Sequence, residues 1–149
     1  LEITNEDFDL IILGSKKPLD FDINFKGKVH FVEKLSDDMK LCDLYNSVDC
    51  LVIPSVHDNT PLITQEAQMC GVPIILFDHN GLSEIVDHKI NGFKAKSLEA
   101  DSLAEGIDWM LENLDKSDLI NNSIIRSKEQ LLENIGAQYN KLYKKVLNI

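Results

Sequence analysis

No stretch of this sequence is apolar for long enough to cross a membrane as a helix. The longest run, residues 72–77, falls far short of the roughly 20 residues that a span requires. Cysteine is scarce. Cys42, Cys50 and Cys70 cannot all pair with one another, and none has the close spacing of a zinc knuckle, so a disulfide framework is excluded and a reducing, cytosolic compartment fits. Cys50 and Cys70 lie beside apolar runs and read as small buried hydrophobes rather than catalytic thiols. Positive charge is also short: 15 basic residues face 25 acidic ones, for a net charge of -10. A surface of that sign repels nucleic acid and anionic lipid, so neither is expected as a main partner. The opening residues Leu1, Glu2, Ile3, Thr4, Asn5 and Glu6 lack an initiator Met, a basic region and an apolar run, so the chain reads as an excised fragment without a secretory signal. Internal repeats, low-complexity segments and Gly/Ser linkers are absent as well, which predicts one domain over residues 1–149.

What is present suits a compact domain: 149 residues, 44% of them hydrophobic, are enough for a real core. Short β-favouring runs recur at residues 10–13, 29–32, 50–53 and 72–77, with a weaker one at 92–95. Helical patterns separate several of them. Ser36 is placed to cap a helix carrying Met39, Leu41, Leu44, Tyr45 and Val48; Pro61 suits the first turn of another, which Thr60 or Asn59 would cap, and Gly71 sits where that helix ends. This alternation predicts an α/β fold, a Rossmann-like parallel sheet with helices on both faces. After Ser97 the strands stop. Leu103, Ile107, Met110 and Leu111 mark an amphipathic helix, and a long C-terminal helical region follows. Its last part carries Leu131, Leu132, Ile135, Tyr139, Leu142, Tyr143, Val146 and Leu147 at three-and-four spacing, a stripe expected to pack on the sheet; the sharper alternative is docking on a further domain.

In such a sheet ligands bind at the carboxyl ends of the strands, which points to residues 14–18, 33–36, 54–61 and 78–82. The densest punctuation is Pro54, Ser55, Val56, His57, Asp58, Asn59, Thr60 and Pro61. A helix starting there leaves amide N–H groups and the positive end of its dipole facing the strand ends, a setting for a phosphate or diphosphate. Glu66 follows in the same helix, and its two acceptor oxygens suit the vicinal hydroxyls of a ribose. Asp58, eight positions earlier, can accept from the hydroxyls of a second sugar-like group.

The run Pro54-Ser55-x-x-Asp58-Asn59-x-Pro61-x4-Glu66-Ala67-x-x-Cys70-Gly71-Val72-Pro73-Ile74, then Gly81-x-x-Glu84-Ile85-Val86 and Asn91-Gly92-Phe93, resembles the C-terminal half of family-four glycosyltransferases. These are retaining, nucleotide-sugar-dependent enzymes of the two-domain GT-B architecture. Val29-x-Phe31 and the stretch from Leu44-Tyr45 to Asp49-x-x-Val52 extend the resemblance over nearly the whole chain. It implies that Glu66 is the second acid of the family's acid-x7-acid motif and binds the donor ribose, while Asp58 is the first and faces the transferred sugar. Asp58 and Glu66 are thus the residues expected to carry catalysis. Ser55, His57, Asn59, Thr60 and Pro61 would form the loop that approaches donor sugar and phosphates, with Val29 and Phe31 near the base and Gly14 at the first strand end. Gly81 and Glu84 would maintain the turn behind the site. The first acid is usually Glu; Asp58 is one methylene shorter, which relocates its contact or makes it water-mediated. The family's Arg and Lys clamp on the diphosphate belongs to a first strand-helix unit that this chain lacks, and Lys16 and Lys17 do not match it.

The resemblance implies a UDP- or GDP-sugar as donor substrate, no cofactor, and an N-terminal acceptor domain of the same chain as partner. It also implies polysaccharide, lipopolysaccharide or glycolipid assembly in the cytoplasm, at the inner face of the membrane, where the full-length protein would be peripheral. The fragment alone would be inactive. No metal is expected: His30, His57, His79 and His88 show no helical ligand pairing, and Asp20-Phe21-Asp22, though it mimics a metal motif of another glycosyltransferase architecture, arises easily in an acidic chain. Two other readings differ in what they need. A receiver-like α/β binding module needs an acidic cluster after the first strand and a phosphoacceptor Asp after a central one, where this sequence has Gly14-Ser15-Lys16 and Pro54-Ser55. A GT-B-type epimerase would isomerise a nucleotide sugar without an acceptor.

Overall fold

A computed structural model describes residues 8–16, 27–59, 61–115 and 117–148. Five strands, β1 (Leu10–Leu13), β2 (Val29–Val32), β3 (Leu51–Ile53), β4 (Ile74–Phe77) and β5 (Gly92–Ala95), alternate at first with helices α1 (Asp38–Asn46) and α2 (Leu62–Met69). A short 3-10 helix, Asn80–Glu84, follows β4, and α3 (Ala100–Leu111), α4 (Ser117–Glu129) and α5 (Leu132–Leu147) complete the described chain. Every strand pairing among the described residues is parallel, as the sequence predicts.

Among the described residues the strands do not form one continuous sheet. β1 pairs with β2, and β3, β4 and β5 form a second sheet in that order. A doubly wound sheet runs 3-2-1-4-5-6. By pairing alone, β2-β1 matches the half 3-2 of that order and β3-β4-β5 the half 4-5-6; among the described residues no ladder joins the two sheets.

The core is built on β4, whose four residues are all buried. Ile74 and Leu76 point to one face, where they meet Ile53, Leu82, Ile85 and Val86; Ile75 and Phe77 point to the other, against Phe93, Ala95, Met110 and Leu119. One face is thus covered by α2 and the 3-10 helix and the other by α3 and α4. Each fully buried aliphatic side chain contributes roughly 1.5–3 kcal/mol. A third cluster, Tyr45, Ala67 and Val72 with Leu41, Val48 and Cys70 packed on it, joins α1 to α2.

Local caps differ from expectation at two helices. The cap of α1 is Asp37, not Ser36: its carboxylate accepts from the amides of Met39 (2.9 Å) and Lys40 (3.3 Å), the second and third residues of the helix. Pro61 precedes α2 as its N-cap in an extended conformation instead of opening its first turn, and no side chain among the described residues caps that helix; Thr60 is not one of them. The end of α2 matches expectation. Gly71, at φ 80°, lets its own amide reach the Gln68 carbonyl and that of Val72 reach Ala67, closing the helix with paired carbonyls.

The C-terminal helical region divides at Gln130 and Leu131 into α4 and α5. The apolar stripe of α5 does not pack on the sheet as expected: the helix contains no buried residue, and Tyr139, Leu142, Tyr143, Val146 and Leu147 are each more than half exposed. Both faces of β4 are already covered, one by α2 and the 3-10 helix and the other by α3 and α4.

Candidate functional site

The ends of β3, β4 and β5 converge. Leaving β3, the chain runs through Pro54 and half-buried Ser55 to His57, Asp58 and Asn59, which are exposed. The 3-10 helix backs this loop closely: a methyl group built on Gly81 would lie 2.7 Å from the Asn59 carbonyl oxygen and 3.1 Å from its Cα. His79, just past β4, sets its ring edgewise to His57 with centroids 6.4 Å apart, and its Nδ1 lies 3.1 Å from Ser97 Oγ beyond β5. The mouth is therefore polar, lined by groups that donate and accept hydrogen bonds.

Behind the loop, α2 begins without a side-chain cap, because Pro61 has no acceptor on its side chain. Its third amide, of Thr64, turns back to the Pro61 carbonyl (3.0 Å), and the Thr64 hydroxyl donates to the same oxygen at 2.6 Å. Glu66 stands one turn further on, exposed. Its Oε2 accepts a hydrogen bond from the Tyr45 hydroxyl at 3.1 Å. Tyr45 is 3% exposed. Burial, followed by the charge of Glu66 and the hydrogen bond to it, holds the Tyr45 phenol well above the usual tyrosine range, so it stays protonated and donating. Below this pair, Cys42 and Cys70 bring their sulfurs to 3.8 Å, a van der Waals contact between α1 and α2.

Of the residues singled out from sequence, Ser55, His57, Asp58, Asn59, Pro61 and Glu66 share the unit formed by the β3–α2 loop and α2. Val29 and Phe31 lie on β2 and Gly14 just past β1, in the two-stranded sheet, which no ladder among the described residues ties to β3. Gly14 ends β1 at φ 86°, its amide donating to the Val32 carbonyl at 2.8 Å, and Val29 and Phe31 face Leu10 and Ile12 across the ladder. Lys16 Nζ lies 3.4 Å from Glu33 Oε1, an exposed ion pair between the ends of the two strands. Thr60, Lys17 and the Asp20-Phe21-Asp22 triplet lie outside the described residues. Sequence reasoning read Tyr45 as part of the apolar stripe of α1 and gave it no site role. The only signal was its hydroxyl, which a buried stripe position must satisfy.

A protein-family model described as glycosyl transferases group 1 matches residues 1–126. The chain belongs to this family. It is 33% identical over 110 residues to an uncharacterized glycosyltransferase of Methanocaldococcus jannaschii, a match to 70% of this chain and 28% of that protein. It is 32% identical over 122 residues to the N,N'-diacetylbacillosaminyl-diphospho-undecaprenol alpha-1,3-N-acetylgalactosaminyltransferase of Campylobacter jejuni, covering 81% of this chain and 32% of the relative. Among solved structures, sucrose-phosphate synthase from Thermosynechococcus elongatus superposes with a TM-score of 0.67 at 27% identity, over 81% of this chain and 31% of that one. Anabaena HepE, solved in complex with UDP, superposes at 0.64 with 20% identity over 82% of this chain and 33% of its own, a likeness of fold. The group 1 chain therefore has the α/β fold of a GT-B glycosyltransferase and spans about a third of the length of the relatives it matches. Among its described residues no helix is long and apolar enough to cross a membrane.

Proposed function

We propose that this chain is the donor-binding domain of a retaining glycosyltransferase that moves a hexose or related sugar from a UDP- or GDP-sugar to a glycan or lipid-linked acceptor. The observation that carries the reading is the placement of Asp58 and Glu66, in a group 1 chain, on one loop-helix unit at the convergent ends of β3, β4 and β5. Glu66 accepts from the ribose hydroxyls, and Asp58 accepts from the transferred sugar. The backbone amides of Leu62 and Ile63, at the positive end of α2, meet the diphosphate, where charge grows as the glycosidic bond breaks; stabilising that leaving group is the main catalytic contribution. No carboxylate acts as a nucleophile, and neither metal nor cofactor is part of the scheme.

The lack of a ladder between the two sheets among the described residues suits a further strand-helix unit of the whole protein between β1 and β3. That strand would complete the doubly wound sheet, tie β1 and β2 to the rest, and bring Gly14, Val29 and Phe31 beside the nucleotide base and phosphates. The acceptor domain belongs to the remainder of the protein, and the exposed apolar stripe of α5 suits packing against it. The name of the Campylobacter relative carries a diphospho-undecaprenol acceptor. It supports a lipid-linked acceptor, and with it a peripheral place at the cytoplasmic face of a membrane.

The test is titration of the chain and of Glu66→Ala with UDP, GDP and ADP, read by calorimetry and thermal shift. Nucleotide at about 100 times its dissociation constant stabilises a fold by roughly 2.7 kcal/mol. Selective binding of one nucleotide, lost in Glu66→Ala, is the expected result. Absence of binding in the whole protein overturns the reading.

A further inference from the structure

We propose that Tyr45 is a positioning residue for the donor ribose: its hydroxyl holds Glu66 Oε2 and thereby aims the other carboxylate oxygen at the ribose hydroxyls. The inference rests on the donor-binding reading of Glu66 given above and names a residue that the reading lacks. Glu66 is exposed, and a free glutamate on a helix surface samples many rotamers, each of which must be given up on binding. Tyr45 limits that freedom. It is the only hydrogen-bond donor that reaches the Glu66 carboxylate among the described residues, at 3.1 Å. Its own ring is fixed by packing with Ala67, Val72, Leu41, Val48 and Cys70 between α1 and α2. A rigid, two-torsion side chain anchored in a core thus fixes a flexible one at the surface. A buried hydroxyl also needs a partner, and Glu66 is the one Tyr45 has, so the bond serves both residues.

The geometry divides the carboxylate into two halves with separate tasks. Oε2 faces inward to the phenol; Oε1 has no hydrogen-bond partner among the described residues and is left for a ligand. A hydrogen bond to an ionised acceptor is directional and short enough to set the torsions of the chain that carries it. The phenol remains a donor because burial and the neighbouring carboxylate both oppose its ionisation.

The experiment measures binding of UDP, GDP and ADP, and of the 2′,3′-dideoxy form of whichever one binds, to the wild-type chain, Tyr45→Phe, Glu66→Ala and the double variant. Thermal unfolding of each confirms that the fold is kept. Loss of one hydrogen bond predicts about a three- to tenfold weaker affinity for the ribonucleotide in Tyr45→Phe. The dideoxy nucleotide, with no ribose hydroxyls for Glu66 to meet, should bind wild type and Tyr45→Phe alike. In the Glu66→Ala background Tyr45→Phe should have no further effect. Equal weakening of both nucleotides, or a loss that persists without Glu66, gives Tyr45 a merely structural role and overturns the inference. If the ribonucleotide binds and Glu66→Ala weakens it while Tyr45→Phe does not, the positioning role fails and the donor reading stands. If no nucleotide binds this chain or the whole protein, or Glu66→Ala binds as wild type does, the ribose role of Glu66 fails and takes this inference with it.

Discussion

Gly81 stands so close to Asn59 that the smallest side chain would collide with it: its built Cβ lies 2.7 Å from the Asn59 carbonyl oxygen, which is backbone and cannot rotate away. The loop carrying His57, Asp58 and Asn59 is therefore supported from behind by the 3-10 helix after β4. Gly81→Ala should push the loop outward. Overpacking of this kind costs about 1–3 kcal/mol. The expected outcome is a lower urea midpoint together with weaker nucleotide binding, measured by denaturation and calorimetry. Unchanged values of both would show that the loop yields without consequence.

The 3-10 helix is itself held by two side chains from other elements. Gln68, fully buried on α2, donates from Nε2 to the Ile85 carbonyl at 3.1 Å, and Arg126 of α4 donates to the Glu84 carbonyl. Gln68→Leu keeps similar bulk but leaves the Ile85 carbonyl without this donor. A buried acceptor stripped of its partner costs about 1–3 kcal/mol. Chemical denaturation should show that loss, and nucleotide affinity should fall with it if the 3-10 helix supports the loop. A stability within 0.5 kcal/mol of wild type, the roughly neutral range of surface changes, would mean that the carbonyl finds water instead.

The acidic motif and most strands are legible in the sequence because they depend on local signals. β4 reads as a buried strand because four successive apolar residues face two cores, and the β3–α2 loop reads as a site because punctuation and acids sit at fixed spacing. The features that were not legible depend on choices between equivalent residues or on distant partners. Ser36 and Asp37 are both competent caps, and only the backbone angles select Asp37. Division of the sheet is a matter of long-range pairing, on which β1 and β3 carry no local mark. Tyr45 follows the apolar periodicity of α1, so its contact with Glu66, 21 positions away, is invisible until α1 and α2 are packed together. The stripe of α5 is amphipathic in the sequence, but periodicity does not say what covers it.

Cys50 makes stability fall in alkali. Burial first, then the charge of Asp49, pushes its thiol from 9.0 up to about 12. An unfolded chain loses that proton near pH 9, whereas the folded chain keeps it. Above pH 9 the unfolded state therefore binds fewer protons, and stability declines with rising pH until the folded thiol titrates. The contribution is fully present below pH 9 and gone above pH 12. Cys50→Ala should flatten the slope of unfolding free energy against pH in that window, whatever it does to the absolute value. Tyr45 adds to the decline above pH 10, where an unfolded tyrosine ionises. An identical slope in Cys50→Ala would exclude the thiol as a source.

α5 should be separable from the core. None of its residues is buried, Leu132 is 86% exposed, and Gly136, with no atom within 4 Å of a built Cβ, sits in its interior where glycine costs about 1 kcal/mol relative to alanine. A helix of this length without tertiary contacts is marginal in water. A chain ended after Gln130 should therefore keep its Tm within a few degrees of the full chain while losing helical ellipticity in proportion to the residues removed. It should also self-associate less at high concentration, since the exposed apolar side chains of α5 leave with the helix. A Tm drop beyond 10 °C, well above the roughly 2–8 °C that 1 kcal/mol produces in domains of this size range, would show that α5 is packed against the core in solution. If α5 instead becomes protected only in a longer protein, hydrogen exchange at Tyr139, Leu142 and Tyr143 would slow there and remain fast in this chain, which would identify the stripe as a surface that meets the rest of that protein.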